Sequence, residues 1–420
     1  MRTRLMIAAL VLCSSAACAG RGRSPAAQRE PPTAARVAPV VLQHAAAYET
    51  RTEAEPARGA AVDGQLRESL ARAAERAGLA LDGRLAELAL GIAAASDGAR
   101  HPPSYLLVSY HAHRAGIAEP TPQVWLAVGA SSAALIPAFE QAIAGAARST
   151  KLTHCGMAAL YADTAEPERG VVIALALSSR VLSLKQAVPR SVPVGGIVRL
   201  EGELAAGHSA PVLAVTTEAG VTRSALAKSR RFQRDVALTQ AGETTLELLA
   251  TGPLGLEVVA LMPIMVGAPA PRDPPSLEAV PIEADAQEVT HKLLTLIADE
   301  RARRALPPLQ IDARLSGIAL AHSQDMFQHA FIAHSSRRSG DATARVTARG
   351  LEPLLVLENI GRGYSATELH RGLMASPGHR ANILHPDARE LGIGVVAERE
   401  GDRNAFIVTE LFTQLREAVR

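Results

Sequence analysis

Ser376-Pro377-Gly378-His379-Arg380-Ala381-Asn382-Ile383-Leu384 is the stretch on which the reading of this 420-residue chain turns. Upstream stand Phe331-Ile332-Ala333-His334-Ser335 and Glu358-Asn359-Ile360, and downstream Leu391-Gly392-Ile393-Gly394-Val395. The sequence around them predicts helices and strands together. Asp285 starts a helix with Val289, Leu293 and Ile297 on one side. Asp312 caps a second, in which Leu315, Ile318, Ala319, His322 and Met326 follow the helical period. Ser365-Ala366-Thr367-Glu368 is a capping box that opens a third. Residues 391–397 and 406–412 read as strands joined by a charged turn at 398–403. Helices around a short antiparallel sheet give an α/β/α sandwich over 285–417.

The order of these segments has a familial counterpart. Leu293, Ile297, Glu300 and Arg301 come first, then Leu309, Asp312, Leu315 and Ala319, then Ser323-Gln324-Asp325-Met326, ahead of His334. With Glu358-Asn359-Ile360 and the Ser-Pro-Gly-His segment, this strongly resembles the CAP superfamily (cysteine-rich secretory, antigen 5 and pathogenesis-related proteins; the SCP domain) in its bacterial form. The resemblance covers about 285–417. It implies a CAP fold with a cleft lined by two His and acidic residues, and it places His334, Glu358 and His379 there, with Asn359 and Ser376 beside them. The second acidic position of many eukaryotic members has no counterpart. Leu373 stands where a Trp is usual and Ala298 where an Asn is usual. Spacing alone does not bring the trio together, since 24 residues separate His334 from Glu358 and 21 separate Glu358 from His379.

Two neutral imidazoles and one carboxylate suit Zn²⁺ or another divalent metal, with positions left open for water or a ligand. The metal set would be His334, His379 and Glu358. The same trio suits acid–base work near neutral pH, with Glu358 as the catalytic group in an enzyme. The chain has no nucleophile elbow and no His-Glu-x-x-His motif. Three functions follow. The first is a metal- or ligand-binding or interaction module of the bacterial envelope, whose partner is a small ligand, a lipid or an envelope protein. The second is a metal-dependent hydrolase acting on a peptide or envelope substrate. The third is a structural envelope protein with an inert cleft.

The amino terminus predicts export. Arg2 and Arg4 precede an apolar run from Leu5 to Cys13, too short to span a bilayer. Ser14-Ser15-Ala16-Ala17-Cys18 resembles a bacterial lipoprotein box that would end a signal at residue 18 and lipidate Cys18. The competing reading is plain secretion with a cut after Ala19. The protein is then an outer-membrane lipoprotein, its membrane partner reached through a lipid anchor, or a periplasmic or extracellular protein. Apart from Cys13 and Cys18 only Cys155 exists, so no internal disulfide forms and packing alone must stabilise the chain. Net charge is +2, aromatics are 3% of residues and basic runs are only pairs, which argues against a nucleic-acid partner.

Composition divides the rest. Residues 19–59, with Pro25, Pro31, Pro32 and Pro39, read as a flexible tether. A Pro-rich linker occupies 269–284. Residues 190–268 alternate as short strands, with Phe232, Arg234, Val236 and Leu238 on one face and Leu256, Val258, Ala260, Met262, Ile264 and Val266 on another. They predict an all-β sandwich of immunoglobulin-like architecture. Residues 60–182 predict an α+β domain, with a helix capped by Asp82 and a buried strand at 171–178. That domain reads as a degenerate CAP copy. Leu81-Asp82-Gly83-Arg84-Leu85 parallels Ile311-Asp312-Ala313-Arg314-Leu315, and Cys155-Gly156-Met157 parallels Leu391-Gly392-Ile393. On that alignment His101 falls against His334 and Trp125 near the place of Glu358. The whole is a multidomain α+β protein.

Overall fold

The computed structural model describes residues 42–50, 55–95, 103–120, 122–149, 152–162, 170–253, 255–274, 285–329, 331–400 and 403–416. The export signal, Cys18, His101 and most of the tether and linker lie outside them. Among the described residues no helix is long and apolar enough to cross a membrane.

The amino-terminal domain is a sheet between two helical layers. Its elements are β2 (Ala57–Arg58), α1 (Gly64–Ala77), β3 (Ala80–Leu81), α2 (Gly83–Ala95), α3 (Tyr105–Arg114), β4 (Gln123–Gly129), α4 (Ser132–Ser149), β5 (His154–Tyr161) and β6 (Val171–Ser178). The sheet order is β2-β5-β6-β4, and β3 also pairs with β5. β6 is apolar at nearly every position because both its faces are covered, so no alternation is expected of it. One core lies under α1 and α4, with Leu66, Phe139, Trp125 and Ile173. The other lies under α2 and α3, with Leu85, Ile92, Leu107 and Ala174. Cys155 sits in the first core, and burial pushes its thiol up to about 12, as suits a small hydrophobe.

Two further sheets share one core in the middle of the chain. β7 (Leu182–Leu184), β10 (Gly196–Leu204) and β13 (Arg231–Leu238) form one. β9 (Ser191–Val192), β11 (Ser209–Thr217), β12 (Gly220–Ala225), β14 (Gly242–Gly252) and β15 (Gly255–Val266) form the other, in the order β12-β11-β14-β15-β9. Val198, Leu200 and Phe232 of the first meet Leu246, Leu248 and Ile264 of the second.

Three expectations need correction here. The sheets start at Leu182, earlier than residue 190, because β7 pairs with β10. The tether read as 19–59 is too long. β1 (Ala47–Tyr48) pairs with β8 (Val188–Pro189), and β2 pairs with β5. Tyr48 is 0% exposed in the sandwich core and its hydroxyl donates to the Pro263 carbonyl at 2.7 Å. A low-complexity composition hid one anchoring aromatic. Finally, the alternation over 256–266 breaks. The β14–β15 register shifts between Leu248 and Leu249, so Val259 joins the core while Leu256 is 50% exposed.

The carboxy-terminal domain comprises α5 (Ala286–Ala302), β16 (Gln310–Ile311), α6 (Ala313–His329), α7 (Ala342–Thr347), β17 (Pro353–Gly363), α8 (Ala366–Ala375), α9 (Pro377–Ile383), β18 (Glu390–Glu400) and β19 (Arg403–Leu415). Its caps are those the sequence predicts. Asp285 accepts from the Gln287 and Glu288 amides, and Ser365 Oγ accepts from the Glu368 amide. Each such cap contributes about 1 kcal/mol. The sheet order is β16-β18-β19-β17. Val289, Leu293, Leu369, Phe406 and Phe412 pack on one face, and Leu315, Ile318, Val346 and Leu411 on the other.

Apart from β2 in the first and α9 in the second, both α/β domains run in the same order. Strands β3, β5, β6 and β4 are paired as β16, β18, β19 and β17 are, with the first pair parallel and the others antiparallel. Asp82 and Asp312 cap α2 and α6 alike, through the Arg84 and Arg314 amides at 2.8 and 2.7 Å. Their own amides donate to the Cys155 and Leu391 carbonyls. A Cβ on Gly156 would strike the backbone of Asp82 and Ala86, and one on Gly392 that of Leu315 and Ser316. In both domains the helix therefore lies directly on a glycine of the strand.

Candidate ligand-binding cleft

The His334 loop is held from below. His322, buried on α6, places Nε2 3.0 Å from the Ala333 carbonyl. A carbonyl only accepts, so that nitrogen carries the hydrogen. Arg345 on α7 donates to the carbonyls of His334 and Gly340 at 3.1 and 2.6 Å. Ser336 donates to Asp325 at 2.5 Å. The loop is thus fixed by groups on two helices.

Glu358 lies on β17 opposite Leu411, so its side chain points to the α6 and α7 side of the sheet. Oε1 is 3.0 Å from His334 Nδ1, and Oε2 forms an ion pair with Arg345. The Glu358 side chain is 3% exposed and that of His334 40%. A carboxylate accepts only, so Nδ1 is the nitrogen that donates. Arg345 Nε is buried without a hydrogen-bonding partner among the described residues, which makes its pairing to Glu358 the more necessary.

His379, in the first turn of α9, brings the second imidazole. Its ring centroid is 6.1 Å from that of His334, with the planes tilted 46°. Burial first, and the neighbouring His334 second, push its pKa down to about 3, so it is a neutral imidazole at any physiological pH. Asn359 does not line the cleft but lies fully buried beneath it. Its Nδ2 donates to the His379 carbonyl at 3.2 Å and to Glu410 Oε2 at 3.0 Å. Asn382 donates to Asn359 Oδ1 and to the Glu358 carbonyl, both at 3.0 Å. That network ties the His379 helix to the strand that carries Glu358. Ser376 precedes α9 and its hydroxyl makes no capping bond.

His334, Glu358 and His379 thus meet in one place. Among the described residues no three His, Cys, Asp or Glu side chains are arranged to hold a metal ion. Each Glu358 oxygen already has one partner, Arg345 on one and His334 on the other. Glu358 orients an imidazole and balances an arginine.

Four functional residues escaped the sequence reading. Arg345 sits in a short helix with no distinguishing pattern. His322 fitted the apolar period of α6 and was read as part of it. Asn382 lay within the quoted segment without a role. Glu410 did leave a signal, a carboxylate inside the apolar strand 406–412. It is 0% exposed, its Oε1 has no hydrogen-bonding partner among the described residues, and burial pushes its pKa up to about 7.

In the amino-terminal domain the same sheet positions are apolar. Gly156 pairs with Ala176 as Gly392 pairs with Leu411. That register sets Leu175 at the place of Glu410, Trp125 at that of Asn359 and Val124 at that of Glu358. Trp125 therefore falls one residue from the position expected of it, and one residue reverses the face.

Residues 294–412 match the family model described as the cysteine-rich secretory protein family, CAP. The chain is 37% identical to the Bacillus subtilis protein YkwD over 106 residues, 25% of this chain and 41% of that one. It is 29% identical over 105 residues to the Bacillus subtilis membrane protein YlbC, of which it spans 30%. Among solved structures it is similar to an extracellular SCP-domain protein of Bacillus anthracis, at 19% identity and a TM-score of 0.28, covering 43% of this chain and 66% of that one. It is also similar to an outer surface protein of Borrelia burgdorferi, at 21% identity and a TM-score of 0.29, covering 32% and 97%. Sequence order, cleft residues and family model agree on one stretch: residues 294–412 are a domain of the CAP family.

Proposed function

We propose that the chain is an exported envelope protein whose carboxy-terminal cleft binds a ligand or partner and does not catalyse. One observation carries this reading. Glu358, the carboxylate that stands with the two imidazoles, is held between Arg345 and His334, so that each of its oxygens already accepts from a protein donor. What remains is a pair of imidazoles, good at hydrogen-bonding a polar group. The short apolar run behind Arg2 and Arg4 supports export, and the Ser-Ser-Ala-Ala-Cys18 box supports a lipid anchor at Cys18. The shared strand pairing, the shared aspartate caps and the matching glycines support the amino-terminal domain as a CAP copy that has lost its cleft. The two facing sheets between them support an immunoglobulin-like spacer.

Co-sedimentation with purified cell-wall sacculi and with phospholipid vesicles tests the cleft, together with mass spectrometry of any released fragments. The expected result is retention of the wild-type chain by one of the two, loss on His379→Ala, and no fragments. Fragments released by the wild type but not by Glu358→Gln would make the cleft an active site. Equal recovery of wild type and His379→Ala would make it inert.

A further inference from the structure

The outward face of a sandwich strand is ordinarily wet, and residues that alternate with Leu246 and Leu248 on β14 belong to that face. Glu247 nevertheless is 0% exposed. Its cover is the α9 turn of the CAP domain. A Cβ placed on Gly378 would lie 3.6 and 3.9 Å from the two Glu247 oxygens and 3.8 Å from Arg223 of β12. α9 also touches β12. Neither Glu247 oxygen completes a hydrogen bond among the described residues, although the Gly378 N–H faces them. Four residues back, on the same face, Glu243 looks toward Arg380, also of α9. The neighbouring positions in the sheet, Ala214 and Leu261, are buried and carry no charge. The segment Gly378-His379-Arg380, which bears the cleft's second imidazole, is thus pressed against carboxylates of another domain.

We propose that the β-sandwich is a proton-responsive latch on the cleft: neutral Glu247 allows the sandwich to hold the α9 turn that carries His379, and ionised Glu247 releases it. Burying a charged carboxylate without hydrogen bonds is costly, while burying the acid is not. Burial raises the Glu247 pKa to about 7, and Arg223 and the Gly378 N–H oppose that rise without cancelling it. The docked form therefore holds a proton that the open form, with an ordinary glutamate, gives up. Docking gains its full strength below the ordinary glutamate range and weakens as pH rises through about 7. Glu243, raised by partial desolvation and opposed by Arg380 but exposed at its surface, acts in the same direction more weakly. His379 titrates within its own domain, where Asn359 and Asn382 hold its helix, and stays neutral over this range. The latch does not depend on what the cleft binds.

Amide hydrogen exchange of residues 378–384, corrected for intrinsic rates, tests this in the full chain and in Glu247→Gln, a neutral isostere. At pH 8.5 the Gln variant should be roughly a hundredfold more protected than wild type, and at pH 5 less than tenfold. Glu243→Gln should give a smaller change of the same sign. Equal protection of wild type and Glu247→Gln at both pH values would overturn the latch, as would stronger protection of the wild type at pH 8.5 than at pH 5.

Discussion

The amino-terminal and carboxy-terminal α/β domains use one order of helices and strands and one way of seating a helix on a strand glycine, yet they differ at three paired sheet positions. Val124, Trp125 and Leu175 occupy them in the first domain; Glu358, Asn359 and Glu410 in the second. The first set is absorbed by packing. Each polar residue of the second must find partners below the surface, and the partners are residues far apart in sequence: Arg345, His334, His379 and Asn382. The scaffold tolerates either solution. A polar cleft is therefore a load on this fold that the surrounding hydrogen bonds offset, and the difference can be measured as stability.

The sharpest contrast comes from removing the paired positions in turn. Glu358→Ala leaves Arg345 buried and unpaired, and should cost about 3–5 kcal/mol by denaturant unfolding. Val124→Ala at the matching place removes only apolar contact and should cost under about 2 kcal/mol. Similar losses at the two sites would break the comparison.

Where the domains are alike, their mutants should be alike. Gly156→Ala and Gly392→Ala drive the same Cβ into the backbone of α2 and α6, and each should cost about 1–3 kcal/mol. A cost at only one of them would mean the helices are not seated in the same way.

Glu410→Leu copies the amino-terminal residue into the cleft floor. Glu410 has a raised folded pKa, so whatever stability it contributes is present below the ordinary glutamate range and is lost as pH rises through about 7. The Leu variant should be more stable than wild type by about 1–2 kcal/mol at pH 8, with the gain shrinking toward pH 5. Thermal unfolding at the two pH values measures it. A gain independent of pH would show that Glu410 is not the buried acid described.

Much of the scaffold was legible because it rests on local chemistry. Asp285, Asp312 and Ser365 cap helices through amides two or three residues on, and an apolar run such as 171–178 announces a strand buried on both faces. The cleft was legible only through family order, because His334, Glu358 and His379 meet across the sheet and not along the chain. What sequence did not disclose depends on distant partners. Tyr48 looks like part of a tether until β8 is found beside it. Glu247 looks solvated until α9 covers it. Glu358 looks like a free ligand or base until Arg345 is placed on its second oxygen. Register is the remaining case: the offset put Trp125 near Glu358, and only strand pairing showed it one residue away and facing the opposite side.

Imidazole ¹⁵N chemical shifts of the full chain, followed from pH 8 to pH 4, bear most directly on the claim that this scaffold holds one oriented and one desolvated histidine around a paired carboxylate. The expected result is a His334 ring protonated at Nδ1 at pH 8, with that preference lost in Glu358→Gln, and a His379 ring that stays neutral down to pH 4. His379 taking up a proton near ~6.5, as a solvated imidazole does, with a His334 tautomer indifferent to Glu358, would contradict it.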